Sequence, residues 1–203
     1  SSIGKMHIIS SQLDNNFEIV TGMFSRDNHM NKKINNSLKI NESRIYNNIN
    51  SLIKNEKNII DAFVVLTPTP DHFKILKILI RENVNIIVEK PILSNLKEVK
   101  ELKTLLKKFK KKIYLIHNYT GYPAVREIKE LARKKIYGKL LNVNINMTQE
   151  SFLRIQKKEQ QVRKWRKNDG LIPHLFLDLG SHVFNLAHFL IRENPSSVFT
   201  ERS

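Results

Sequence analysis

Residues 61–93 read DAFVVLTPTPDHFKILKILIRENVNIIVEKPIL, and this stretch decides the fold class. Asp61–Thr67 is a near-continuous apolar run, the pattern of a strand buried on both faces. Pro68 and Pro70 stop it, because proline cannot donate to a ladder. Asp71–Glu82 then sets Phe73, Leu76, Lys77 and Ile80 at helical spacing, with Ile75 and Leu79 widening the apolar face. Val84–Val88 repeats the buried-strand pattern and Pro91 cuts it. Strand, helix and strand in this order imply a parallel sheet covered on both faces.

The same alternation continues on either side. Downstream, Asn95–Phe109 forms an amphipathic helix with Leu96, Val99, Leu102, Leu105 and Leu106 inward, and Ile113–Ile116 is a further strand. Upstream, Phe17–Phe24 (FEIVTGMF) is β-branched and aromatic and reads as a strand. Asp27–Ser37 and Ile49–Asn55 read as helices. Four strands with helices between them make a doubly wound α/β domain over residues 1–118. The pattern changes after Tyr119. Pro123–Lys134 is a helix with proline at its start and Gly138 beyond its end. Leu140–Gln149 alternates as a one-sided strand of an open, mainly antiparallel sheet does. Glu150–Asn168 is polar and loop-like, and Pro173–Ile191 is an apolar helix. Residues 119–203 are therefore expected to form an incomplete α+β domain.

Composition narrows the function. The chain has 203 residues, 35 Lys+Arg against 19 Asp+Glu, a net charge of +16, and no cysteine. Disulfide scaffolds, thiolate metal sites and cysteine nucleophiles are excluded. No apolar run reaches the ~18 residues of a membrane span, and Ser1–His7 does not have the form of a signal peptide. Lys107, Lys108, Lys110, Lys111 and Lys112 cluster at a helix end, where cations are favoured by the helix dipole. Aromatic residues do not alternate with these lysines as a single-strand platform requires. The charge runs read as solvated surface, and nucleic acid is not the expected partner.

Three strand ends carry unusual residues. They are Ser25-Arg26-Asp27, Thr67-Pro68-Thr69-Pro70-Asp71-His72, and Glu89-Lys90-Pro91. Each alone has an ordinary reading: Asp71 as a helix cap, Lys90 as a surface lysine, Pro91 as a strand stop. In a parallel sheet all three lie along the carboxyl edge, where such folds bind ligands.

These residues resemble the Gfo/Idh/MocA family of NAD(P)-dependent oxidoreductases. The resemblance rests on Thr67-Pro68 with His72, on Glu89-Lys90-Pro91, on Asn118-Tyr119-Thr120-Gly121-Tyr122-Pro123, and on Asp178-Leu179-Gly180-Ser181-His182, in matching order and spacing. It covers nearly the whole chain. It implies a Rossmann-like N-terminal domain and a C-terminal domain whose open sheet supports homo-oligomerisation. It also implies a cytoplasmic dehydrogenase acting on a sugar, sugar-nucleotide or polyol. Gly4 matches the last glycine of the family's phosphate loop, so the first strand and the earlier glycines are expected to precede Ser1. Thr69 stands where the family often has Asn.

The resemblance assigns cofactor binding to Gly4, Ser25, Arg26, Thr67, Pro68, His72, Glu89, Lys90 and Asn118. Ser25-Arg26 stands where an acidic residue would accept from the ribose of NAD, and a Ser-Arg pair suits the 2′-phosphate of NADP instead. NADP is the favoured cofactor, with NAD the alternative. Arg26 stacking on adenine or facing solvent remains open. Lys90, Asp178 and His182 are the catalytic candidates, and they share substrate binding with Tyr119, Trp165 and Arg166. Asp178 and His182 stand i, i+4 on one helix face, continued by His174. An acid–base pair, a structural histidine and a metal site all fit that spacing, and the resemblance favours the first, with no metal. His188 lies off the face. Trp165-Arg166 suits a sugar ring and an anionic substituent, and an exposed basic loop is the competing reading. A non-catalytic dinucleotide-binding regulator and a basic nucleic-acid-binding protein are the rival functions.

Overall fold

The computed structural model describes residues 2–13, 15–25, 27–148, 170 and 172–201. In chain order the elements are α1 (Ser2–Leu13), α2 (Asn28–Leu38), α3 (Ile49–Glu56), β1 (Phe63–Val65), α4 (Thr69–Arg81), β2 (Ile86–Glu89), α5 (Leu96–Leu106), β3 (Ile113–Ile116), α6 (Pro123–Arg133) and α7 (Ser181–Ile191). A π turn, Phe176–Gly180, leads into α7. The chain divides into two compact units, Ser1–Ile92 with Lys97–Leu115, and Leu93–Leu96 with Ile116–Ser203.

The first unit is built on an open sheet of order β1-β2-β3. β1 and β2 pair in parallel, with Phe63 opposite Ile86 and Val65 opposite Val88. α4 crosses between them. Its first turn carries Pro70, where a missing N–H costs no hydrogen bond. Leu76 and Leu79 of α4 and Ile86 and Val88 of β2 are almost wholly buried, and Phe63, Val65, Phe73, Ile80 and Leu102 complete this core. Each such side chain contributes roughly 1.5–3 kcal/mol on burial. α2 starts where the Asp27 carboxylate accepts from the His29 and Met30 N–H groups, and α3 where Asn48 caps Asn50 and Ser51.

A second cluster holds α3 to the loop before it. Glu56 is 2% exposed. It accepts from Arg44 Nε at 3.1 Å and Nη2 at 2.6 Å, and from the Tyr46 hydroxyl at 3.0 Å. The buried carboxylate is tolerated because it is paired and fully hydrogen-bonded.

Four expectations need correction. Phe17–Phe24 is not a strand. Among the described residues its one ladder contact is a parallel bridge, Gly22 to Ile45, with Gly22 N–H donating to Arg44 and Tyr46 N–H to Gly22. A β-rich sequence becomes a strand only where neighbours complete a ladder. β1 is shorter than the apolar run and is not buried on both faces, since Val64 is 50% exposed between two buried neighbours. Residues 140–148 form no ladder, although Val143, Ile145 and Met147 are half-buried and Asn142, Asn144 and Asn146 exposed, as the alternation implies. Among the described residues of the second unit no neighbouring strand pairs with them. The helix expected over Pro173–Ile191 widens into the π turn. There Gly180 admits the Phe176 ring so closely that an added Cβ would meet it at 3.2 Å.

Candidate functional site

In the first unit the chemistry gathers at the carboxyl ends of β1 and β2, as the parallel topology dictates. Glu89 ends β2. Its Oε2 accepts from the Lys90 N–H at 3.1 Å. Its Oε1 lies 2.7 Å from His7 Nε2 on α1, the two side chains being 12% and 22% exposed. The Lys90–Pro91 peptide is cis, and Lys90 is half-buried beside it. His72, on α4, is 1% exposed. Its Nδ1 faces the Pro91 carbonyl at 3.0 Å and its Nε2 the Thr67 carbonyl at 2.7 Å. The ring therefore sits between the turn after β1 and the turn after β2, and in its neutral form its single N–H donates to one of the two carbonyls. Pro68 is the residue from which α4 starts. The Thr67 hydroxyl oxygen is buried and makes no hydrogen bond within the structure.

The remaining cofactor candidates of this unit are simpler. Gly4 lies in the first turn of α1, where an added Cβ would meet nothing within 4 Å. Ser25 Oγ accepts from the Asp27 N–H at 3.1 Å. Asp27 is occupied as the α2 cap, its carboxylate accepting from the His29 and Met30 N–H groups. Arg26 falls outside the described residues.

The second unit holds a short 3₁₀ turn, Asn118–Gly121, that α7 packs against. The turn is closed by the Thr120 hydroxyl donating to the His117 carbonyl at 3.0 Å. It presents Tyr119, whose ring meets His182 edge-on with centroids 4.7 Å apart. His182, on the first turn of α7, is 5% exposed. Its Nδ1 lies 3.4 Å from His117 Nδ1, and the two rings are edge-to-face at 5.3 Å. Asp178 sits in the π turn, so the helical repeat between it and His182 is locally wider than the spacing argument assumed. Asn118 starts the 3₁₀ turn. Trp165 and Arg166 lie outside the described residues.

His7 and His117 escaped the sequence reading. Each meets its partner across a long sequence separation, 82 residues for His7 and Glu89 and 65 for His117 and His182. The signal available was only that both are histidines flanking marked motifs. Among the described residues no group of three or more His, Asp or Glu side chains is arranged to hold a metal ion. No helix among them is long and apolar enough to cross a membrane.

The residues at the first unit's edge fit a dinucleotide. The carboxyl ends of parallel strands, a helix starting after Pro68 and a fixed carboxylate at Glu89 are the kinds of feature that ribose and amide groups need.

Comparison with known proteins agrees with this geometry. The family model described as "Oxidoreductase family, NAD-binding Rossmann fold" matches residues 1–117, and the GFO/IDH/MocA C-terminal domain matches residues 125–203. The uncharacterized oxidoreductase YfiI of Bacillus subtilis is 23% identical over 199 residues, covering 94% of this chain and 50% of YfiI. The chain thus spans half the length of that relative. Two solved structures share the fold. An inositol dehydrogenase homolog from Azotobacter vinelandii, complexed with NADH and myo-inositol, superimposes with TM-score 0.81 at 21% identity, over 95% of this chain and 50% of that one. The WlbA dehydrogenase from Bordetella pertussis, in complex with NADH and UDP-GlcNAcA, gives TM-score 0.72 at 15% identity, over 94% and 53%. The matched family models cover both halves of the sequence, and the chain belongs to the GFO/IDH/MocA oxidoreductase family.

Proposed function

We propose that this chain is the N-terminal NAD(P)-binding domain, residues 1–118, and part of the substrate domain, residues 119–203, of a dehydrogenase. It would act on a secondary alcohol of a sugar, sugar-nucleotide or polyol, or on the corresponding ketone. The observation that carries the reading is the family match over both halves of the chain. The substrate class is supported by the ligands of the two superimposed dehydrogenases, myo-inositol and UDP-GlcNAcA.

A bound nicotinamide supplies the hydride acceptor or donor. Thr67, Glu89 and Lys90 would hold it from the strand ends, with His72 and His7 fixing the turns and the carboxylate they belong to. Ser25-Arg26 favours NADP over NAD through charge-assisted bonds to a 2′-phosphate. His182 takes the hydroxyl proton as the alcohol is oxidised, a role for which imidazole is suited near neutrality. Lys90 offers a cation that would neutralise negative charge developing on a substrate oxygen. Asp178 and Tyr119 contact substrate hydroxyls, and Trp165 with Arg166 adds an apolar face and a cation. A homo-oligomer is the expected assembly.

The test is direct. The protein is incubated with NAD⁺ or NADP⁺ and a panel of cyclitols, aldoses and UDP-sugars, and reduced nicotinamide is followed by absorbance. Turnover of at least one polyol or sugar is expected. Tight binding of nicotinamide dinucleotides without turnover of any of these compounds, in either direction, would replace the enzyme with a dinucleotide-binding regulator.

A further inference from the structure

We propose that His117 sets the tautomer of His182 and so aims its proton-accepting nitrogen, an inference that rests on the acid–base role proposed for His182. The two Nδ1 atoms lie 3.4 Å apart. Two lone pairs facing each other repel, and so do two N–H groups. The contact is bonding only when one ring donates and the other accepts. The tautomers of the two rings are therefore coupled.

The direction follows from the chemistry. Once His182 has taken a proton it carries N–H at both positions, and its Nδ1–H needs an acceptor. His117 provides one only if its own proton is on Nε2. If His182 is already the Nδ1–H tautomer before reaction, its Nε2 lone pair receives the substrate proton while the Nδ1–H···Nδ1 bond stays as it is. The O–H bond breaks, the Nε2–H bond forms, and no other proton moves. This is preorganisation, because the acceptor for the developing imidazolium is in place beforehand. The reverse tautomer would put the lone pair against His117 and leave Nε2 without one.

The surroundings hold this geometry. His182 is 5% exposed, so the ring does not trade its partner for bulk water. Tyr119 packs edge-on against it at an interplanar angle of 88°, and His117 at 82°. The backbone bearing both partners is closed by the Thr120 hydroxyl on the His117 carbonyl. His117 lies 65 residues before His182 in the chain, yet it is the side chain set against the ring that does the chemistry. It is a positioning residue.

The experiment is a two-bond ¹H–¹⁵N spectrum of the full chain labelled with ¹⁵N-histidine, recorded where the rings are neutral, with His182 assigned by His182→Gln. His182 is expected as the Nδ1–H tautomer. His117→Leu should return it to the Nε2–H-dominated mixture of free imidazole. His117→Asn should restore Nδ1–H, since its Oδ1 replaces the accepting nitrogen. Under turnover, kcat should fall about 10–100-fold in His117→Leu with KM little changed, the range for loss of a histidine's outer partner, and recover in the Asn variant. An Nε2–H tautomer of His182 in the wild-type chain, or Nδ1–H retained in His117→Leu, overturns the inference. If His117→Leu does not fold, the wild-type and His117→Asn spectra decide. Should the tautomer behave as expected while His182→Ala turns over normally, the coupling stands and the acid–base role of His182 falls.

Discussion

His7 on α1 places its Nε2 2.7 Å from Oε1 of Glu89 at the end of β2. The contact binds the first helix of the chain to the one carboxylate of the Glu-Lys-Pro turn, and the other oxygen of that carboxylate holds the Lys90 N–H. Glu89 is therefore oriented from both sides. Removing His7 should loosen the carboxylate without unfolding the sheet. His7→Ala is expected to raise the Kd for NADH about 2–10-fold, the worth of one partly exposed hydrogen bond. His7→Gln, which keeps a donor, should lose less. Fluorescence titration checks both, and equal losses in the two variants would deny the hydrogen bond its part.

Glu56 gives a stability prediction with a sign. Its carboxyl is held below the ordinary value of 4.5, first by the Arg44 hydrogen bonds and against the opposing effect of burial. A lowered folded-state pKa stabilises the protein above the unfolded value, and that stability is lost as pH falls through the folded one. The Tyr46 hydroxyl is held above its ordinary value of 10.0, chiefly by burial and then by its bond to Glu56. Stability should accordingly fall again as pH rises past about 10. Glu56→Ala should destabilise the first unit by about 2–4 kcal/mol, because it strands a guanidinium and a hydroxyl. Urea melts from acid to neutral pH should show the wild-type advantage shrinking toward low pH. A pH-independent difference would contradict the charge argument.

The cofactor prediction concerns Arg26. Arg26→Ala should weaken NADPH binding roughly tenfold while changing NADH binding little, since only the former offers a 2′-phosphate for a charge-assisted bond. Parallel titrations with the two dinucleotides measure the ratio, and equal losses would remove the case for NADP.

The catalytic prediction separates Lys90 from His182. His182→Ala should slow hydride transfer by roughly 10²–10⁴-fold, the usual worth of a positioned acid or base, with dinucleotide affinity nearly unchanged. Lys90→Ala should impair both, because Lys90 directly follows the carboxylate at the end of β2. Single-turnover kinetics with a responsive polyol distinguish the two. A His182→Ala variant with near-normal rates would move the proton-transfer role to Lys90.

Helix α4 offers a control on the fold. Leu76 has no exposed surface, and Leu76→Ala should cost about 2–5 kcal/mol through lost burial and the cavity left behind. Thermal melts measure it, and a cost under 1 kcal/mol would mean that the sheet is not packed through this position.

The sequence by itself determined whatever depends on local period and punctuation. The helices at 69–81, 96–106 and 123–133 follow from apolar spacing, the last with Pro123 at its start; those at 28–38 and 49–56 read as short helices without such a stripe, and their Asp27 and Asn48 caps are visible only in the structure. The strands at 86–89 and 113–116 follow from apolar runs ended by turn residues. The strand ends bearing Thr67 and Glu89-Lys90 could then be placed on one sheet edge, because parallel strands present their carboxyl ends together. Only the tertiary structure decided what depends on a distant neighbour. Among the described residues Phe17–Phe24 has strand composition but one bridge, since a ladder needs a partner that composition does not supply. The stretch 140–148 keeps its alternation of exposure without a ladder for the same reason. The π turn at Phe176–Gly180 arises where a ring packs over a glycine. Helix α1 leaves Ile3, Met6, Ile9 and Leu13 exposed, so no buried apolar stripe holds it. The pairings of His7 with Glu89 and of His117 with His182 join residues far apart in the chain. Hydrogen bonds act over about 3 Å whatever the sequence separation, so no spacing rule could have announced them.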